Sequence, residues 1–135
     1  KDNLKNSFNS SFSGLKTAVI NYVNSLNQKK KQIPLNDICC SFQCQAIDPL
    51  IEKTISACKK FGYKKLCIAG GVSANSYLRE NMTRRGKEEG IEVFYPSLRL
   101  CTDNAAMIAI AGWFHYQAGE RCPLDVAPVS RIADF

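Results

Sequence analysis

Two short stretches of this chain hold residue types that could do chemistry. Gly70-Gly71 ends a short apolar run, and Ser73 and Asn75, both able to cap a helix, follow at once. Paired glycines let a backbone approach a ligand closely and adopt dihedrals that a β-carbon forbids. The amides that open the following helix point at whatever negative group lies there. Gly70 and Gly71 are therefore phosphate-cradle candidates, set against a tight strand-to-helix turn that holds no ligand. Asn75 either hydrogen-bonds a base or ribose or caps its helix, the commoner fate. In the second stretch, Cys101-Thr102-Asp103-Asn104, the only carboxylate is Asp103. It is either a helix cap or a ligand for a metal or a metal-bound phosphate. Ser13, Gly14 and Lys16 form a smaller polar group at a turn into a helix, a second candidate phosphate contact.

Other reactive types offer less. His115 is the only histidine, so neither a His-His metal site nor a Ser-His-Asp triad can be assembled within this chain. Of the seven cysteines, Cys40 and Cys44 stand four apart near Cys39 and could in principle share a metal. Small buried packing residues are the commoner role of such thiols, and Cys58 and Cys67 read the same way. No Cys-x-x-Cys pair occurs, and without secretory features the thiols are expected to be reduced, in a cytoplasmic protein.

The elements that must position these residues are legible from periodicity. Phe8 and Phe12 alternate with polar residues, a weak strand signal. From Leu15, apolar residues at Val19, Tyr22, Val23 and Leu26 recur at helical spacing. Asn36 or Asp37 then caps a long helix to about residue 60, with Ile38, Phe42, Ile47, Leu50, Ile51, Ile55 and Cys58 as its stripe. Pro49 is a potential kink within it, and Gly62 is its stop. Residues 65–69 form a strand leading to the Gly-Gly turn, and 76–88 a surface helix carrying Leu78 and Met82. Gly90 precedes a strand over 91–95. A helix from Asp103 to about Ala118 is apolar on nearly all faces, which predicts burial. This order gives an α/β layered domain with a small parallel sheet. Ligands in such sheets lie outside the carboxyl ends of the strands, so both loops are expected to face one crevice. Two strands are few for a free-standing doubly wound sheet, which suggests a truncated one.

At 135 residues the chain fits one domain, with 120–135 as a tail. It opens on Lys1 without an initiator Met, consistent with a tag remnant, a processed end or a piece of a larger protein. No apolar run approaches the ~20 residues of a membrane span, and no signal-peptide pattern occurs. The net charge of +6 is carried by Lys29-Lys30-Lys31, Lys59-Lys60, Lys64-Lys65 and the Arg79, Arg84, Arg85, Lys87 helix face. Such clusters are usually solvated surface, and they also suit a polyanion such as nucleic acid.

Four ordered motifs carry a resemblance. They are residues 11–18 (Ser-Phe-Ser-Gly-Leu-Lys-Thr-Ala), Asp37-Ile38 with Ser41-Phe42-Gln43, residues 69–75 (Ala-Gly-Gly-Val-Ser-Ala-Asn) with Leu78-Arg79, and residues 101–109 (Cys-Thr-Asp-Asn-Ala-Ala-Met-Ile-Ala). From about residue 8 to 120 the chain closely resembles the carboxyl-terminal part of the tRNA threonylcarbamoyladenosine transferases, long described as O-sialoglycoprotein endopeptidases, in their bacterial or organellar form. The resemblance implies part of the second lobe of an actin/Hsp70-like ATPase (ribonuclease H-like) fold, a truncated sheet with helices on both faces. It implies transfer of a threonylcarbamoyl group from threonylcarbamoyl-adenylate to the adenosine beside the tRNA anticodon. Gly70, Gly71 and Asn75, with Ser13 and Lys16, would line the adenylate or ATP site. Asp103 would be one ligand of a divalent metal, iron or zinc. Implied partners are tRNA, an inactive paralogue and a small ATPase of the same pathway, with no membrane. The family's His-x-x-x-His metal pair and its Ser-Gly-Gly loop belong to the amino-terminal half and do not occur here. The chain is thus expected to be inactive alone. The alternatives are a non-catalytic nucleotide-binding or interaction module, and the metalloprotease of the older family description. No His-Glu-x-x-His sequence supports the latter.

Overall fold

A computed structural model of the chain describes residues 7–127. The chain divides into two compact units, one ending at Cys101 and one beginning at Thr102.

The first unit opens with helix α1, Ser13–Gln28, followed by α2, Leu35–Phe61. The strand signal around Phe8 and Phe12 is not realised, and among the described residues no strand pairs with this segment. Leu15, Ala18, Val19 and Tyr22 of α1 face Ile38 and Phe42 of α2 across an open groove of about 400 Å³. No residue of α1 is buried. In α2, Ile47, Ile51, Ile55 and Cys58 are buried at helical spacing. Asp37 in its first turn and Lys59 and Lys60 in its last complement the helix dipole. The helix starts at Leu35 behind Pro34, with no side-chain cap from Asn36 or Asp37. It passes through Pro49 and ends at Gly62, whose φ of 73° only glycine adopts cheaply. There Tyr63 N–H bonds the Cys58 carbonyl at 2.9 Å and Gly62 N–H the Lys59 carbonyl at 3.3 Å, a Schellman closure.

Strands β1, Lys65–Cys67, and β2, Glu92–Phe94, form a two-stranded parallel sheet joined through helix α3, Ser76–Glu88. Leu66 pairs with Val93 in the centre of the register. These two inward residues pack on the single core cluster of Ile47, Ile51, Ile55, Cys58, Leu78, Met82 and Ile91. The outward residues Lys65, Cys67, Glu92 and Phe94 are exposed. Helices were expected on both faces of the sheet. Within this unit α2 and α3 cover the face that carries Leu66 and Val93, and no described element of the unit covers the face that carries Lys65, Cys67, Glu92 and Phe94.

Helix α3 meets the sheet at Gly86. A β-carbon there would lie 2.6 Å from Val93 Cγ2 and 2.9 Å from the Ile91 carbonyl oxygen.

The second unit contains helix α4, Ala105–Gln117. It was expected to be buried, yet none of its residues is. A helix apolar on all sides needs partners on all sides, and the described residues do not supply them. The chain passes Gly119 at a φ of 81°, and His115 Nδ1 lies 2.5 Å from Glu120 Oε2 on the exposed surface. No helix among the described residues is long and apolar enough to cross a membrane.

Candidate functional site: the turn after the first strand

Beyond β1 the chain runs extended through Ile68, whose N–H bonds the Phe94 carbonyl at 3.0 Å. It then breaks at Gly70, with φ 85° and ψ 172°, a combination that is essentially restricted to glycine. A short 3-10 turn, Gly71–Ala74, follows, held by Ser73 N–H to Gly70 O and Asn75 N–H to Val72 O, both 3.0 Å. The N–H groups of Gly71 and Val72 precede the first bond of that turn and make none within it.

The two glycines differ. Gly70 is required by its backbone. Gly71 has no positive φ, and beyond its two chain neighbours no described residue lies within 4 Å of where its β-carbon would stand. Neither backbone strain nor crowding among the described residues demands a glycine there.

Asn75 ends the turn and caps α3: its Oδ1 accepts from Leu78 N–H at 2.9 Å. Its Nδ2 donates to Gln43 Oε1 of α2 at 3.1 Å, which ties the turn to the long helix. One Nδ2 hydrogen remains for a further acceptor. Ser73 was the other candidate cap. It is fully buried instead, and its hydroxyl has no hydrogen-bond partner among the described residues.

Behind the turn, α3 is fastened to α2 by the Tyr77 hydroxyl, which donates to Asp48 Oδ1 at 2.9 Å. Hydrogen bonding with Cys44, then with Asp48, pushes the Tyr77 phenol well above its ordinary range, so it remains a donor.

Arg79, one of the presumed surface charges, points inward. Its Nε donates to the Ser73 carbonyl at 2.5 Å, and one Nη donates to the Pro96 carbonyl at 2.9 Å and to Cys101 Sγ at 3.2 Å. Its guanidinium carbon stands 4.9 Å from the centroid of the Tyr95 ring. Spacing alone placed Arg79 on a charged helix face. Only the recurrence of Leu78-Arg79 directly after the glycine turn hinted at a different use.

Ser13 and Lys16 lie on α1, both exposed, and Ser13 bonds only locally: its Oγ lies 3.2 Å from Ser11 Oγ. The glycine turn packs with α3, whereas α1 packs with α2. The structure therefore groups Gly70, Gly71 and Asn75 and leaves Ser13 and Lys16 on a separate element.

In the second unit, Asn104 caps α4 by accepting from Met107 N–H at 3.0 Å, and its Nδ2 donates to the Thr102 carbonyl at 2.9 Å. The cap position is thus filled by the neighbour of Asp103. Asp103 is exposed and makes no hydrogen bond or ion pair among the described residues, so its carboxylate is uncommitted. Among the described residues no three His, Cys, Asp or Glu side chains converge to hold a metal. A single carboxylate does not make a metal site, so any ion at Asp103 would need further donors beyond those that the described residues bring there.

The family model for tRNA N6-adenosine threonylcarbamoyltransferases matches residues 1–110. Among curated relatives, the tRNA N6-adenosine threonylcarbamoyltransferase of Clostridium novyi (strain NT) is 44% identical over 122 residues, 90% of this chain and 36% of the relative. That of Caldicellulosiruptor saccharolyticus is 49% identical over 113 residues, 84% of this chain and 34% of the relative. That of Thermosynechococcus vestitus is 44% identical over 126 residues, 93% of this chain and 36% of the relative. The chain spans about a third of the length of the curated relatives it matches.

Proposed function

The chain belongs to the tRNA N6-adenosine threonylcarbamoyltransferase family, and on that premise we propose that it forms one wall of the adenylate site in the second lobe of an actin/Hsp70-like fold. In the whole protein the adenosine N6 amine beside the tRNA anticodon attacks the carbamoyl carbon of threonylcarbamoyl-adenylate. A new C–N bond forms, the carbamoyl–phosphate C–O bond breaks, the amine loses a proton to solvent or a base, and AMP leaves.

The observation that carries this reading is Gly71, a glycine that the described residues do not require, whose own amide and that of Val72 have no hydrogen-bond acceptor among them. A side chain there would fill the room in which a phosphate or ribose sits. Gly70 shapes the turn, and the Gly71 and Val72 amides present their N–H groups to the anionic phosphate. Asn75 fixes the exit of the turn and keeps one hydrogen for the ligand. Ser13 and Lys16, on α1, are assigned at most an outlying contact. Asp103 would hold a divalent iron or zinc ion together with donors outside this chain, and such an ion would supply Lewis-acid polarisation of the carbamoyl group. With one donor and half a crevice, the chain alone transfers nothing. In the whole protein its partners would be tRNA, the adenylate, an inactive paralogue and a small ATPase, in the cytoplasm.

The test uses the whole protein carrying this chain. Gly71→Val should raise KM for the adenylate at least about tenfold, a loss of about 1.4 kcal/mol of binding, while the melting temperature holds. An unchanged KM sinks the nucleotide reading. A collapsed melting temperature does so too, because it would mean that protein rather than ligand fills the space. Asp103→Asn should lose metal and transfer, yet melt normally because Asn104 carries the cap. Normal metal content and activity would remove Asp103 from the site.

A further inference from the structure

Among the described residues no hydrogen bond runs directly from residues 69–75 to residues 95–101, and Arg79 is the residue that bonds to both. The strand ladder ends at the Cys67–Phe94 pair and the bond from Ile68 N–H to Phe94 O. Past that point no backbone bond joins the two loops among the described residues. Arg79 spans the gap, with Nε on Ser73 of the first loop and one Nη on Pro96 and Cys101 of the second. The Tyr95 hydroxyl donates back to the Arg79 carbonyl at 3.0 Å, so the same ring supports both the backbone and the guanidinium of Arg79. A planar fork with fixed donor directions can hold two backbone segments at once, and an ammonium on a flexible stem cannot. All its acceptors are neutral, and no carboxylate pairs with Arg79 among the described residues. Its positive charge is therefore not cancelled locally and favours an anion at the glycine turn.

We infer that Arg79 is the positioning residue of the adenylate site: its guanidinium clasps the glycine turn after β1 to the loop after β2 and holds both in the arrangement that receives the adenylate. The inference rests on the nucleotide reading of the Gly70-Gly71 turn.

The experiment uses the whole protein with Arg79→Lys, Arg79→Met and Arg79→Ala, the last also in the presence of methylguanidinium. KM for threonylcarbamoyl-adenylate, kcat, melting temperature and amide exchange of residues 69–75 and 96–101 are measured together. In Arg79→Lys both loops should exchange faster together and KM should rise about tenfold to a hundredfold, with kcat and melting temperature much less affected. Methylguanidinium should restore KM in Arg79→Ala. Faster exchange with an unchanged KM overturns the positioning role. So does a rise in KM with kcat and melting temperature falling in step that methylguanidinium does not rescue. An unchanged KM in Gly71→Val strikes instead at the nucleotide reading, and the two failures are thereby told apart.

Discussion

Asn75 is where the local and the long-range roles of the site can be separated by substitution. Its Oδ1 caps α3 through Leu78 N–H at 2.9 Å, and its Nδ2 reaches Gln43 Oε1 at 3.1 Å, 32 residues earlier in the chain. Removing an N-cap side chain costs about 0.5–2 kcal/mol. A part-buried neutral side-chain bond adds about 0.5–1.5 kcal/mol. Asn75→Ala loses both and should destabilise the chain by about 1–3.5 kcal/mol. Asn75→Ser keeps a capping oxygen and loses only the bridge, so about 1 kcal/mol is expected. For a unit of this size, each kcal/mol lowers the melting temperature by roughly 4–8 °C. Urea titration followed by far-ultraviolet circular dichroism reads these differences. Gln43→Ala should be damaging in the parent and nearly silent in Asn75→Ser, which gives a coupling close to the bridge alone. If Asn75→Ser were as unstable as Asn75→Ala, the cap would not be what Asn75 supplies, and the geometry of the turn's exit would be misread.

Gly86→Ala should destabilise by up to about 2 kcal/mol, because overpacking costs about 1–3 kcal/mol and the helical gain of alanine returns about 1. The crowding atoms are Val93 Cγ2 and the Ile91 carbonyl, and a backbone atom cannot simply rotate away. Gly112→Ala in α4, where no described residue beyond the helix's own backbone lies within 4 Å of the added carbon, should instead raise helicity. Equal effects in urea titration and circular dichroism would refute the contrast. Lys59 Nζ stands 2.7 Å from Glu89 Oε2, and that hydrogen bond foremost holds the Glu89 carboxyl below its ordinary value, with help from the charges of Lys59, Arg85 and Lys64. Because the folded value is the lower one, the contribution is present above the unfolded value of 4.5 and is lost as pH falls through the folded value. Lys59→Met should flatten stability against pH in that acidic window and weaken its dependence on salt. An unchanged slope would show the pair to be inert.

The sequence by itself determined what local chemistry can determine. Gly62 and the Asn75 cap set the end of α2 and the start of α3, because a left-handed closure and an Asn side chain reaching N3 are decided within a few residues. The break at Gly70 was legible for the same reason, and four ordered motifs were enough to mark the family. Tertiary structure decided the rest. Arg79 looked like one more surface cation, and only the approach of two loops distant in sequence gave its fork something to hold. Ser73 and Asn75 were equal candidates as caps until packing buried one and aimed the other at Leu78. Likewise Asn104 rather than Asp103 took the cap of α4, which freed a carboxylate that spacing alone could not distinguish from a cap. The apolar surface of α4 was read correctly as composition and wrongly as burial. Hydrophobicity states only that a surface would gain by leaving water; whether it does so depends on which surfaces the rest of the chain brings to meet it.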